Sequence, residues 1–221
     1  MTKMQAGAIV STLAVFAALT VVFMFLPLEA EMLESQKIFY FHVSFAFTMF
    51  LACIVTAVAG GYYLARGCEL ADAVAGASAE AAFLFASIVL LTGMFWARSS
   101  WNVWWNWEPR LTSMLALWAI YAGYLLFRAN ARGEARRRLA SVYGIAACVM
   151  VPIVYYSIKL WGGLMHPREG TIFDMEVSMQ VGLLISFAAV LCVYAALMAL
   201  RARIETAERR LESLWQNEGR G

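Results

Sequence analysis

Six stretches of this chain carry no Asp, Glu, Lys or Arg: residues 4–28, 38–65, 81–97, 111–127, 139–158 and 177–200. A helix needs about 17–25 mostly apolar residues to cross the hydrocarbon core of a bilayer. All six runs meet that length, with 81–97 and 111–127 at its lower limit. In lipid a segment must satisfy its own backbone hydrogen bonds, so each run is expected to be a helix. Six transmembrane helices then account for most of the 221 residues, and the fold class is an all-α integral membrane protein. Composition agrees: 62% of the residues are hydrophobic and 14% charged, against about 25% charged in soluble domains.

Residues 4–28 are longer than the apolar core of a signal peptide, and no small-x-small cleavage site follows before Glu29, so they read as a retained helix. Pro27 is expected to close that helix, and Pro109 suits the first turn of the fourth, where its missing N–H leaves no gap. Pro152 lies inside the fifth and should kink it, while Pro167 falls in the last loop. Twelve Lys and Arg lie in the N-terminus, the second and fourth connections and the tail, among them Lys3, Arg66, Arg128, Arg132 and Arg136. Five, namely Lys37, Arg98, Arg110, Lys159 and Arg168, lie in the other connections. By the positive-inside bias both termini are cytoplasmic and the 98–110 loop faces outside. Residues 1–221 form one membrane domain without repeats or long linkers, and 201–221 have apolar residues near helical spacing, an expected amphipathic cytoplasmic tail. The basic fourth connection reads as a topology signal, a contact with anionic lipid, or a docking point for a cytoplasmic partner. Nothing points to nucleic acid.

Two kinds of chemistry find no motif. The four cysteines, Cys53, Cys68, Cys148 and Cys192, form no C-x-x-C pair, so neither a disulfide framework nor a thiol-redox motif is indicated. No G-x-x-x-x-G-K-[ST] occurs, and ATP binding by that route is excluded. Energised transport would need another subunit.

The unusual stretch is S-W-N-V-W-W-N-W-E-P-R-L-T-S, residues 100–113. Tryptophan is enriched wherever membrane meets water, so an aromatic belt is the plain explanation. Density argues for more: Trp96, Trp101, Trp104, Trp105, Trp107 and Trp118 gather about one connection, while the other external loops hold only Trp161. If the stretch is helical, Trp101, Trp104, Trp105 and Glu108 share one face and form a flat platform for a planar ligand or a cation. The chain has two histidines. His42 follows Lys37 by five residues, a little over one turn inside the outer end of the second helix, and His166 lies in the last external loop. Each alone reads as an ordinary interface residue. Together, on the same membrane face as the tryptophans, they fit bis-histidine axial ligation of haem iron, with indoles covering the porphyrin. Arg98, Arg110 and Arg168 can pair with propionates or simply snorkel. A fixed b-type cytochrome and an organic-cation carrier with an aromatic cage remain as rival readings.

The same residues resemble a known family. W-N-V-W-W-N-W-E-P-R-L-T is similar to the tryptophan-rich motif W-G-x-W-W-x-W-D-x-R-L-T of the haem-handling membrane proteins of cytochrome c biogenesis. Trp101, Trp104, Trp105, Trp107, Arg110, Leu111 and Thr112 match; Asn102 replaces the glycine and Glu108 the aspartate. F-Y-F-H-V resembles the family's Y-x-H-V segment, and W-G-G-L-M-H its W-x-x-L-H segment with one residue more before the histidine. The six-helix length resembles that of the heme exporter protein C family. The resemblance implies His42 and His166 as axial ligands of haem b, a transient cargo, with Trp101, Trp104, Trp105, Trp107, Glu108 and Arg110 about it. It also implies a bacterial inner-membrane location with the haem site on the periplasmic side, and a role other than enzyme. The implied partners are an ATP-binding-cassette ATPase and permease, a small helper membrane subunit and a periplasmic haem chaperone that takes the haem towards apocytochrome c.

Overall fold

The computed structural model describes residues 3–28, 33–131, 133–163, 165–166 and 175–218, with side chains described from Gln5 to Glu208 apart from Thr206. Arg132, Pro167, Arg168 and Arg220 lie outside the described residues, as does the side chain of Trp215. Almost everything described is helix, and six helices are long and apolar enough to cross a membrane. They are α1 (Lys3–Thr20, prolonged by a π-helical turn, Val21–Phe25), α2 (Gln36–Arg66), α3 (Glu69–Trp101), α4 (Pro109–Asn130), α5 with α6 (Gly133–Cys148 and Met150–Trp161) and α7 (Val177–Glu218).

Pro27, Pro109 and Pro152 act as the sequence predicts. Leu26, ahead of Pro27, is extended at φ −77°, ψ 135° and ends the first span, because a residue before proline is pushed out of the α region. Pro109 is the first residue of α4. The fifth span breaks between Cys148 and Met150, where Val149 N–H reaches back three residues to Ala146 O at 3.2 Å. Pro152 is the cause: it has no N–H to offer the Cys148 carbonyl, and its ring crowds that oxygen.

The third span is much longer than its uncharged run. α3 begins twelve residues earlier, at Glu69, and takes in Asp72 and Glu80. These carboxylates are tolerated because arginines reach them. Asp72 is fully buried. It accepts from Arg128 Nη1 at 2.6 Å and Nη2 at 3.2 Å, with Arg136 at 3.6 Å and Arg137 at 4.0 Å. Arg137 also donates to Glu69 at 2.6 Å, and Arg201 of α7 pairs with Glu80. Gly76 makes room for this: a Cβ there would meet Arg128 Nη2 at 2.7 Å. Three arginines of the basic fourth connection are thus turned onto α3, while Arg138 pairs with Glu134 beside it.

The core lies where α2 and α3 pack together, with α5, α7 and α4 around them and α1 against α7. Small residues permit close approach: a Cβ on Gly60 would lie 3.2 Å from the Ser141 backbone, and one on Gly144 3.0 Å from Thr56. Ser78 donates to Ala52 O at 2.9 Å or shares a hydrogen with Tyr194 at 2.7 Å, tying α2, α3 and α7. Trp118 belongs to this packing and not to the tryptophan loop. It stacks on Phe83 and donates to Ser87 at 2.8 Å. The last helix is continuous to Glu218, so the tail extends the sixth span.

Candidate functional site at the tryptophan loop

The stretch after Trp101 is not helical, and the expected common face of Trp101, Trp104, Trp105 and Glu108 does not form. Asn102 adopts the left-handed conformation at φ 59° and ends α3. Asparagine tolerates that region better than other non-glycine residues. Arg98 fastens the turn: its Nη1 donates to Asn102 O at 2.8 Å and to the Asn102 side chain. Residues 103–108 then cross irregularly to Pro109, where α4 starts.

The rings accordingly form edge-to-face groups and no flat platform. Trp96 and Trp101 meet at 4.7 Å between centroids, and both face His166, at 6.0 and 5.1 Å. Trp105 packs edge-on to Trp107 at 5.5 Å. Trp104 packs on Phe95, beneath the Arg98 guanidinium at 5.9 Å. Trp107 is 72% exposed and Trp104 51% exposed, whereas Trp96, Trp101 and Trp105 are partly buried.

The two histidines arrive from different elements. His42 projects from α2 onto α3, with Nδ1 2.9 Å from Thr92 Oγ1. Its Cε1 lies so near Gly93 that a Cβ there would stand 3.2 Å away. His166 comes from the segment after α6 and meets Trp96, one turn further along the same helix. Its Nδ1 contacts the carboxylate of Glu108. Burial lowers the His166 pKa to about 4, so the ring is neutral at physiological pH and keeps a lone pair for a metal.

Supporting contacts come from both sides of the loop. The residue that lengthens the W-x-x-L-H segment, Met165, accepts from Asn106 Nδ2 at 3.4 Å, which ties the His166 segment to the tryptophan loop. Arg110 donates to Tyr155 O of α6 at 3.4 Å. Three buried polar atoms of the site have no partner among the described residues: Trp96 Nε1, Trp105 Nε1 and Glu108 Oε2. Unpaired buried donors and acceptors are costly, and their concentration here fits a ligand with polar groups of its own.

Sequence reasoning brought forward His42, His166, Trp101, Trp105 and Glu108; the fold brings His166, Trp101 and Glu108 together at the C-terminal end of α3, sets His42 against Thr92 one turn before Trp96, and pairs Trp105 with Trp107. Trp104, Trp107 and Arg110 lie at the periphery of that group. Thr92 and Gly93 were missed. They sit in an uncharged run whose composition gave no reason to single them out, and only the register of α2 against α3 reveals them.

Six helices long and apolar enough to cross a bilayer define a multi-pass membrane protein, with His166 set among indoles and His42 resting one turn back along α3. The chain belongs to the heme exporter protein C (CcmC) family, whose family model matches residues 2–217. Heme exporter protein C of Rhodobacter capsulatus is 30% identical over 203 residues, covering 89% of this chain and 83% of the relative. The Escherichia coli K12 protein of the same name is 29% identical, covering 82% and 74%. A ccmC-like mitochondrial protein of cytochrome c biosynthesis from Arabidopsis thaliana is 31% identical, covering 80% and 68%.

Proposed function

We propose that this protein handles haem in cytochrome c maturation, binding it at the outer membrane face between His42 and His166 and presenting it to a periplasmic haem chaperone. The observation that carries this reading is the convergence of two imidazoles from α2 and the α6–α7 segment on adjacent turns of α3, beside Trp96 and Trp101. Axial ligation needs two neutral imidazoles on opposite faces of one porphyrin. Haem b is the cargo, and the indoles, with Trp107 and Trp104 outermost, would cover its rim. Arg110, held by a single 3.4 Å bond to Tyr155 O, would meet a propionate more readily than Arg98, which bonds Asn102 and faces the Trp104 ring.

Charge counts support cytoplasmic termini in a bacterial inner membrane, with the haem site on the periplasmic side. Because the chain has no phosphate-binding loop, an ATP-binding-cassette ATPase and permease would supply the energy, with a small helper membrane subunit beside them. An organic-cation carrier fits less well, because the Trp104 ring already faces a cation of the chain itself.

The test is an optical spectrum of the purified protein, with and without the chaperone. The expected result is a six-coordinate low-spin Soret band that declines as haem passes to the chaperone. His42→Ala and His166→Ala should each weaken retention, and the double variant should lose six-coordinate haem. An unchanged low-spin spectrum in a folded double variant refutes the ligation, and haem that never transfers indicates a fixed cytochrome.

A further inference from the structure

The two imidazoles are held alike in geometry and unlike in chemistry. Thr92 has one hydroxyl hydrogen, and Oγ1 lies 2.7 Å from Ile88 O, the carbonyl four residues back, with Val89 O at 3.3 Å. That hydrogen is therefore donated to the backbone. The hydroxyl oxygen can only accept from His42, 2.9 Å away, so Nδ1 carries the ring hydrogen. A neutral imidazole has one N–H, which leaves the lone pair of His42 on Nε2.

Glu108 performs the same task for His166. As a carboxylate, which accepts only, Glu108 would take the Nδ1 hydrogen of His166 on Oε1 and again leave the lone pair on Nε2. The Glu108 side chain is 5% exposed. Its second oxygen has no donor, so among the described residues the imidazole N–H is what this carboxylate leans on. A carboxylate partner raises the basicity of a ligating imidazole. A hydroxyl that is neutral and already serves a carbonyl does so far less.

We propose that Thr92 and Glu108 are positioning residues that present Nε2 of both histidines to the haem iron and make His166 its stronger ligand and His42 its weaker, exchangeable one. This rests on the haem-binding reading above. Release then begins at the His42–iron bond: Nε2 keeps its electron pair, the incoming ligand of the acceptor fills the vacated position, and His166 holds the iron until exchange is complete.

The experiment titrates hemin into the purified full-length protein and measures haem affinity and reduction potential in the wild type, Glu108→Gln, Glu108→Asp, Thr92→Val and Thr92→Ser. Glu108→Gln should weaken haem binding by about 10–100-fold, as loss of such partners does at metal sites, and should raise the reduction potential; Glu108→Asp should restore part of both. Thr92→Val should lose less, and Thr92→Ser should recover it. His42→Gly should retain more haem than His166→Gly, and the iron–histidine stretch of ferrous His42→Gly should fall when Glu108→Gln is added. Equal retention by the two glycine variants, or an unchanged potential in Glu108→Gln, overturns the inference while haem ligation stands. A wild-type protein that takes up no haem overturns both.

Discussion

Gly93→Ala should separate the stability of this protein from its capacity for haem. Alanine is favoured over glycine in a helix interior by about 0.5–1 kcal/mol, and Gly93 lies eight residues before the end of α3. On propensity alone the variant is the more stable protein. The added methyl, however, would stand 3.2 Å from His42 Cε1, where ordinary contact is 3.4–4 Å. The ring must yield by a few tenths of an ångström, and its 2.9 Å bond to Thr92 turns with it. Metal–ligand distances hold to about 0.2 Å, so the displacement falls directly on the iron bond. We expect haem affinity to fall about tenfold, the lower end of what loss of ligand support costs a metal site, with a partial shift from six- to five-coordinate haem. The assay pairs thermal unfolding of the haem-free protein in detergent with a hemin titration followed at the Soret band. Wild-type affinity and an unchanged low-spin spectrum would refute the reasoning, and a fall in both stability and affinity would place the effect in α3 folding and defeat it equally.

Asp72→Ala strands the buried Arg128 guanidinium and should cost about 3–5 kcal/mol of stability, whereas Arg137→Ala, whose nearest partner Glu69 is half exposed, should cost below about 1 kcal/mol; equal losses in chemical unfolding would show that the cluster is not a buried pair. Trp101→Ala removes two ring contacts, one of them to His166, and should raise the five-coordinate fraction more than Trp107→Ala, which removes one contact to Trp105; haem spectra normalised to folded protein decide this. Trp104→Ala and Trp105→Ala should harm haem handling more than Trp215→Ala, with the phenylalanine variants milder; equal, small losses at all three would return the loop to a membrane anchor. Cysteines placed at Asn102 and Arg132 of intact cells should be labelled by an impermeant reagent at the first and protected at the second, and the reverse would invert the topology.

Much of the architecture was legible because a bilayer leaves few choices. The uncharged runs, Pro27, Pro109 and Pro152 locate the six spans and the break in the fifth. What the sequence concealed has physical reasons. Counting uncharged residues cut the third span short at residue 81, since a charge paired across helices looks the same in sequence as a charge in water; Asp72 is the example. Helical periodicity carried the tryptophans onto one face that Asn102, fastened by Arg98, interrupts. Thr92 matters through a hydroxyl that meets His42 fifty residues away, and no local pattern marks such a pairing. His166 and Glu108, 58 residues apart, were each singled out, but their contact follows only from how the loops fold back on α3.

The two imidazoles meet the same helix at Thr92 and at Trp96, four residues apart, about 6 Å at the usual rise. Their separation is therefore graduated by peptide geometry, as on a ruler, and side-chain packing only reads the scale. Length changes then have unequal consequences. The segment that carries His166, which has one residue more than the W-x-x-L-H pattern, lies outside any helix and is not held to that scale. A residue inserted between Gly93 and Trp96 would swing everything beyond it by roughly 100°, a helix having 3.6 residues per turn, and the indole would leave the face on which His42 rests. Engineered variants of this protein have almost no freedom of length between those three positions of α3.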